Sequence, residues 1–223
     1  MAIFYELTNF REFCMGNISS GLLYRASYPV FKFKERDDLY GRLVAEAGIK
    51  CVLNLADSQA DLNKISCLVP WYDDLAKSGN IIGLDIQFEF DFSDRFENEV
   101  FRYKLREGFK FMISHEGPYL IHCNAGIDRT GFFMAIVGLL FGASIDEVIY
   151  DYLLSYGKDF ADAKDEELNF LTGRTIYGQI NAIINRKITE SSELQQNIEN
   201  YFLKDIGLTI DELLLLKHRL WRK

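Results

Sequence analysis

The sequence is poor in several features that mark disordered or membrane proteins. It has three prolines among 223 residues and no low-complexity stretch, so long disordered segments are not expected. Its longest apolar run, residues 131–143, contains three glycines and is too short to span a bilayer. The first residues lack a basic segment followed by an unbroken apolar stretch, so a signal peptide is not expected either. Stable membrane insertion is therefore not predicted.

Positive charge is also scarce. The chain has 25 Lys and Arg against 33 Asp and Glu, which gives a net charge of −8. A protein that binds nucleic acid or an acidic membrane needs a basic face, so neither partner is predicted. A small local positive pocket is still compatible with this balance.

The cysteines follow no metal-binding or disulfide pattern. The four of them, at positions 14, 51, 67 and 123, include no C-x-x-C pair. This spacing predicts neither a zinc site nor a disulfide framework. It favours a reducing, cytoplasmic setting, or export without a signal peptide.

The alternation of apolar patterns predicts an α/β fold. At this length we expect one domain over residues 1–223, with a central, mostly parallel sheet flanked by helices and a helix-rich C-terminal part. The patterns indicate strands over 49–55, 81–90 and 119–122, and helices over 35–47, 97–114 and most of 160–223. Two S/T-x-x-E capping boxes, beginning at Ser144 and Thr209, each predict the start of a helix.

The stretch YLIHCNAGIDRTGF, residues 119–132, carries the strongest chemical signal. An apolar strand ends at His122, and a loop leads into another helical stretch. The backbone N–H groups of such a loop, at the positive end of a helix, form an anion site of phosphate size. Arg129 adds a planar fork that can bind two phosphate oxygens. The residues predicted to bind the substrate in this loop are His122, Asn124, Ala125, Gly126, Ile127 and Thr130.

Cys123 lies at the bottom of this predicted cup. The surrounding N–H dipoles and Arg129 favour its thiolate form, which is the reactive nucleophile. Thr130 is expected to donate a hydrogen bond to the sulfur, and His122 to orient the backbone. A thiolate below a bound phosphoryl group can attack phosphorus and form a cysteinyl-phosphate, which water then hydrolyses. Arg129 and the loop amides would stabilise the transition state.

The segment H-C-N-A-G-I-D-R-T-G resembles the H-C-x-x-G-x-x-R-[ST]-G signature of the protein tyrosine phosphatase superfamily. Other segments are similar to its atypical bacterial and fungal branch, in matching order. These are N-F-R-E at 9–12, G-L-L-Y-R-A-S at 21–27, D-Y-L-L-S at 151–155 and the final GLTIDELLLLKHRL. The resemblance implies a cysteine-dependent phosphatase that needs no metal or cofactor. Its expected substrates are phosphorylated proteins or small phosphomonoesters.

The resemblance also implies candidates for the general acid that protonates the leaving oxygen. Asp128, inside the loop, is characteristic of this branch. Asp91 is the second candidate, with Asp94 behind it, because DIQFEFDFSD aligns with a strand that ends in an acid in relatives. Arg25 is expected at the site, either in contact with the substrate, as a brace for the loop, or in a plain ion pair.

Two departures from the branch concern the substrate. Relatives that act on phosphoinositides usually carry Lys where this chain has Ile127, and N-L-A-D at 54–57 replaces a usual D-L-R. Phosphotyrosine is therefore favoured, and a phosphoinositide or inositol phosphate is the alternative. An arsenate reductase or sulfurtransferase, and a phosphate-binding module without catalysis, are less favoured alternatives.

Overall fold

Among the described residues, the sheet has five short strands. They are β1 (Arg11–Glu12), β2 (Leu23–Ala26), β3 (Cys51–Asn54), β4 (Ile81–Gly83) and β5 (Tyr119–His122). Their order in the sheet is β1-β2-β5-β3-β4. β1 pairs with β2 antiparallel, and all other neighbours are parallel. The carboxyl ends of β2, β3, β4 and β5 therefore meet at one edge. A computed structural model gives this arrangement and describes residues 8–30, 34–87, 98–157, 176–184 and 191–221.

Helices cover both faces of the sheet and make up the C-terminal part. They are α1 (Lys34–Glu46), α2 (Gln59–Ile65), α3 (Pro70–Lys77), α4 (Glu99–Ser114), α5 (Asp128–Leu140), α6 (Ile145–Leu154), α7 (Tyr177–Ile184), α8 (Ser191–Asn200) and α9 (Ile210–Leu220). A π-helical turn over Tyr201–Ile206 joins α8 to α9. The predicted fold class is confirmed. Of the predicted helical region 160–223, residues 160–175, 185–190, 222 and 223 lie outside the described residues.

Apolar residues on both faces of the strands explain why the sheet is buried on both sides. Leu53 and Ile121 belong to a large hydrophobic cluster that also contains Leu216 of α9. Val52 and Leu120, which point to the other face, belong to a smaller cluster beneath α1 and α3. The C-terminal helices thus pack into the same core as the sheet.

Local signals place the helix starts. Both capping boxes are formed, with Ser144 and Glu147 at the start of α6 and Thr209 and Glu212 at the start of α9. Helix α5 has buried residues around its whole circumference, which makes it the central helix of the core. Within the described residues, no helix combines the length and the apolar character needed to cross a membrane.

One predicted strand is shorter than expected. The pattern of 81–90 predicts a strand of ten residues, but β4 ends at Gly83. Asp85 adopts a left-handed backbone conformation with φ 44°, which turns the chain out of the sheet. Residues 88–90 lie outside the described part of the chain.

Candidate active site

The predicted loop lies at the centre of the sheet edge. Cys123 follows β5, which lies between β2 and β3, and carboxyl ends of parallel strands are the usual place for ligand sites in α/β sheets. Only 3% of Cys123 is exposed, whereas Asn124 and Ala125 after it are exposed. The sulfur is thus recessed below the rim of the loop.

The loop leads directly into the amino terminus of α5. No side chain caps this helix at Ile127. In the described part of the chain, the backbone N–H groups of residues 124–127 have no backbone acceptor. Unpaired N–H groups at a helix start carry partial positive charge. The arrangement therefore suits a bound anion.

Arg129 is half-buried in the first turn of α5. Its Nη1 donates to the carbonyl oxygen of Ile86 at 3.3 Å, and this is its one hydrogen bond within the described residues. Most of the five N–H donors of the guanidinium therefore stay available to an anion in the loop.

A first set of side chains, which we call the arginine network, supports the middle of the loop. It consists of Asn9, Arg11, Arg25, Asp151 and Ser155. Asn9 Nδ2 donates to the carbonyl oxygen of Gly126 at 3.1 Å, and Arg25 Nη2 donates to the same oxygen at 2.6 Å. Arg25 also pairs with the carboxylate of Asp151 through Nη1.

Arg11 completes the arginine network. Its Nε donates to Asp151 Oδ1 at 2.9 Å, and its Nη2 donates to Ser155 Oγ at 2.8 Å and to the Asp151 carbonyl oxygen at 2.6 Å. One buried carboxylate thus balances two buried guanidinium groups, which reduces the cost of burying them.

Burial changes the role expected for Arg25. The side chain is fully buried and holds the Gly126 carbonyl from behind the loop. These contacts fit the alternative of a brace, and the expected contact with substrate stays a prediction.

A second set, the tyrosine network, supports the base of the loop. It consists of Tyr28, Asn54, Asp57, Tyr72 and His122. Tyr28 donates from Oη to Asp57 Oδ2 at 2.5 Å, and Asn54 Nδ2 donates to the same oxygen at 2.8 Å. Asn54 Nδ2 also donates to Tyr72 Oη at 3.0 Å, and Tyr72 Oη lies 2.9 Å from His122 Nε2.

His122 is the inner end of this network and immediately precedes Cys123. Complete burial lowers the pKa of His122 to about 3, and Arg129 contributes to this in the same direction. Its Nδ1 makes no hydrogen bond of normal geometry in the described part of the chain, although a contact with the backbone of Cys123 opposes the fall in pKa. His122 is 0% exposed, and both its expected contact with substrate and its expected role in orienting the backbone stay predictions.

Thr130 is also 0% exposed. Its hydroxyl has no hydrogen-bond partner among the described residues, so the expected bond to the sulfur of Cys123 is not formed in this structure. The substrate contact expected of Thr130 stays a prediction.

Of the two candidate acids, only Asp128 lies in the described part of the chain. It is exposed in the first turn of α5, and its Oδ1 accepts a hydrogen bond from Tyr152 Oη at 3.0 Å. Asp91 and Asp94 lie outside the described residues.

The sequence reasoning missed the supporting roles of Asn9, Arg11 and Asp151. These residues occur in segments that mark the family resemblance, which was the available signal, but their contacts join positions up to 144 residues apart. Among the described residues, no group of three or more His, Cys, Asp or Glu side chains is arranged to hold a metal ion.

The chain matches a family model and is similar to solved structures. A model of the tyrosine phosphatase family matches residues 92–222. Among solved structures, the chain is similar to the core catalytic domain of the PP-IP phosphatase SIW14 from S. cerevisiae in complex with citrate. The identity is 18% and the TM-score 0.41, with 78% of this chain and 96% of that chain covered. Another structure of the Siw14 catalytic core is 16% identical with a TM-score of 0.41, with 87% and 96% covered. No curated protein matches the chain.

Proposed function

The chain belongs to the tyrosine phosphatase family and is a phosphatase-like hydrolase, and we propose that it hydrolyses phosphotyrosine through a cysteinyl-phosphate on Cys123. The observation that carries this proposal is the position of Cys123. It is recessed beneath unpaired loop amides, at the uncapped start of α5 and beside Arg129.

The proposed reaction has two steps. The Cys123 thiolate attacks phosphorus, so that an S–P bond forms and the ester O–P bond breaks, while a general acid protonates the leaving oxygen. Water then attacks phosphorus, the S–P bond breaks, and inorganic phosphate and the thiolate are released. Arg129 and the N–H groups of 124–127 hold the equatorial oxygens in both steps.

Two features support an aryl phosphate as the substrate. The recessed sulfur requires a long, narrow ester such as phosphotyrosine, because phosphoserine would bring its peptide backbone against the exposed rim at Asn124 and Ala125. The loop 123–129 also contains a single cation, Arg129, beside the carboxylate of Asp128. A substrate with several phosphates would need more positive charge at this rim.

The position of Cys51 supports hydrolysis over a thiol relay. Cys51 lies at the amino end of β3, and the register places Asn54, not Cys51, beside His122. Cys51 pairs with Tyr119, four residues before Cys123, so at about 3.3 Å per residue it is roughly 13 Å from Cys123 along the strand. An arsenate reductase would need a resolving thiol closer to Cys123.

The nucleophile is tested with p-nitrophenyl phosphate in the presence of a chelator. We expect Cys123→Ser to reduce kcat by roughly 10³-fold or more, because the substituted hydroxyl is a much weaker nucleophile. Cys67→Ser is the matched control, since Cys67 is exposed and should tolerate the same change without loss of activity. Turnover by Cys123→Ser at the rate of the control would refute the proposal.

The substrate class is tested with a panel of phosphotyrosine peptide, phosphoserine peptide, phosphoinositide vesicles and inositol hexakisphosphate. We expect the highest kcat/KM for phosphotyrosine. A higher kcat/KM for the phosphoinositide or for inositol hexakisphosphate would show that phosphotyrosine is not the preferred substrate. The role of Cys123 would not be affected by that result.

The general acid remains a proposal with two candidates. Asp128→Asn and Asp91→Asn are to be compared on aryl phosphates with a good and a poor leaving group. The true acid should lower kcat mainly for the poor leaving group, by about 10²-fold or more. An equal loss on both substrates would show that the residue has another role.

A further inference from the structure

Asn54 has a fixed orientation at the end of β3. The side chain is 0% exposed, and its Oδ1 accepts the backbone N–H groups of Ala56 at 2.8 Å and Asp57 at 3.0 Å. The amide NH₂ group must therefore point the other way, where its two protons are donated to Asp57 Oδ2 and Tyr72 Oη. These four contacts use the hydrogen-bonding groups of the amide, and a flipped amide would lose them.

This orientation sets the direction of the next hydrogen bond. Tyr72 Oη accepts a proton from Asn54, so its own proton is left for His122 Nε2, at 2.9 Å. Burial raises the pKa of Tyr72 well above its usual value, so the hydroxyl keeps its proton throughout the physiological range. Tyr72 is therefore the donor in its contact with His122.

A neutral imidazole carries a single proton. Since Nε2 of His122 accepts from Tyr72, that proton must be on Nδ1. The opposite tautomer would place an N–H group against the hydroxyl proton of Tyr72.

We propose that Asn54 is a positioning residue, which directs the hydrogen bonds Asn54→Tyr72→His122 so that the proton of His122, the residue that precedes Cys123, lies on Nδ1. The proposal rests on the proposed function only in naming Cys123 as the nucleophile.

The tautomer can be measured directly by long-range ¹H–¹⁵N correlation NMR at pH 7. The chain has three histidines, and the double variant His115→Gln/His218→Gln leaves His122 as the one imidazole. We expect a protonated Nδ1 and an unprotonated Nε2. A protonated Nε2 in this background would overturn the proposal.

The decisive variant is Asn54→Asp in the same background. A carboxylate accepts and does not donate, so it would draw the hydroxyl proton of Tyr72 towards itself and leave the phenol oxygen as an acceptor for His122. We expect Nε2 to gain a proton, and kcat to fall by about tenfold with little change in KM, as expected for the loss of one positioning hydrogen bond. An unprotonated Nε2 in the folded variant would refute the role of Asn54.

Asp57→Asn is the matched control. It changes a carboxylate three residues away but keeps an oxygen that accepts from Asn54, so the tautomer of His122 should not change. A shift of the proton to Nε2 in this control would contradict the proposal, because it would make the charge of Asp57 the cause. If Asn54→Asp does not fold, the spectrum of the parent protein still tests the tautomer of His122, and the Asp57→Asn control still tests whether the charge of Asp57 is its cause. If the proposed function is wrong, Cys123→Ser will retain activity. That result does not depend on the tautomer of His122, so the two proposals can fail separately.

Discussion

The two networks that support the active-site loop differ in chemistry and in what they fix. The arginine network places two guanidinium groups around one buried carboxylate and acts on the carbonyl of Gly126, in the middle of the loop. The tyrosine network approaches the other side through hydroxyl, amide and imidazole groups and acts at its base. Charged groups hold position strongly, whereas neutral groups that both donate and accept can fix the location of a proton.

The largest effect is expected at the centre of the arginine network. Asp151→Ala removes the carboxylate that pairs with the buried Arg11 and Arg25, so we expect the free energy of unfolding to fall by about 3–5 kcal/mol. Urea denaturation monitored by circular dichroism measures this change. Glu199→Ala breaks the more exposed pair with Lys217 and should cost less than about 1 kcal/mol. Equal losses of unfolding free energy in Asp151→Ala and Glu199→Ala would contradict the prediction that the buried ion pairs matter more for stability than the exposed one.

The second prediction concerns pH and tests whether the inner end of the tyrosine network stays neutral. The pKa of His122 is about 3 in the folded chain and about 6.5 in a reference peptide, so the unfolded state binds more protons between these values. Stability should therefore be fully present above pH 6.5 and decline as the pH falls, with a slope of up to about 1.4 kcal/mol per pH unit from this residue.

The window of pH 5 to 6.5 isolates this effect, because most carboxylates titrate below it. We expect His218→Gln, at an exposed position, to retain the slope. We expect His122→Gln to lose it, whatever its absolute stability. An undiminished slope in His122→Gln would show that another group is responsible.

The smallest effects are expected at the outer ends of the two networks. Tyr28→Phe removes the hydroxyl that donates to Asp57, and Ser155→Ala removes the one that accepts from Arg11. Each change should cost about 0.5–1.5 kcal/mol in unfolding free energy, the usual net value of one hydrogen bond. Thermal denaturation of both variants measures the difference. A loss above 3 kcal/mol in either would mean that the outer hydroxyl is as important as the buried centre.

The parts of the fold that sequence predicts well depend on local patterns. Strand β5 was predicted with its observed bounds, and both capping boxes form, because each depends on residues within a few positions of one another. The start of α4 shows the limit of this reasoning. Val100 and Phe101 are adjacent apolar residues in its first turn, but Val100 is 60% exposed whereas Phe101 is buried. Which of two adjacent apolar residues faces the core depends on where the helix packs.

The site shows the same division. The order of Cys123, the loop and Arg129 is contiguous in sequence, so the cup was predictable from spacing. The role of Arg25 as a brace for the loop was not predictable in this way, because Arg25 contacts Gly126 across 101 residues and Asp151 across 126. The hydrogen bonds from Asn54 to Tyr72 and from Tyr72 to His122 were not predictable either, because α3 brings Tyr72 to the end of β5.

Gly126 shows why the loop depends on its neighbour. A Cβ atom at this position would lie 2.4 Å from the carbonyl oxygen of Ala26, at the end of β2, and the backbone φ of 71° already favours glycine. The depth of the cup is therefore set by the backbone of another strand. The ten residues of the signature therefore do not determine the loop conformation alone. In a scaffold that lacks the end of β2, the same sequence would have no neighbouring backbone to pack against.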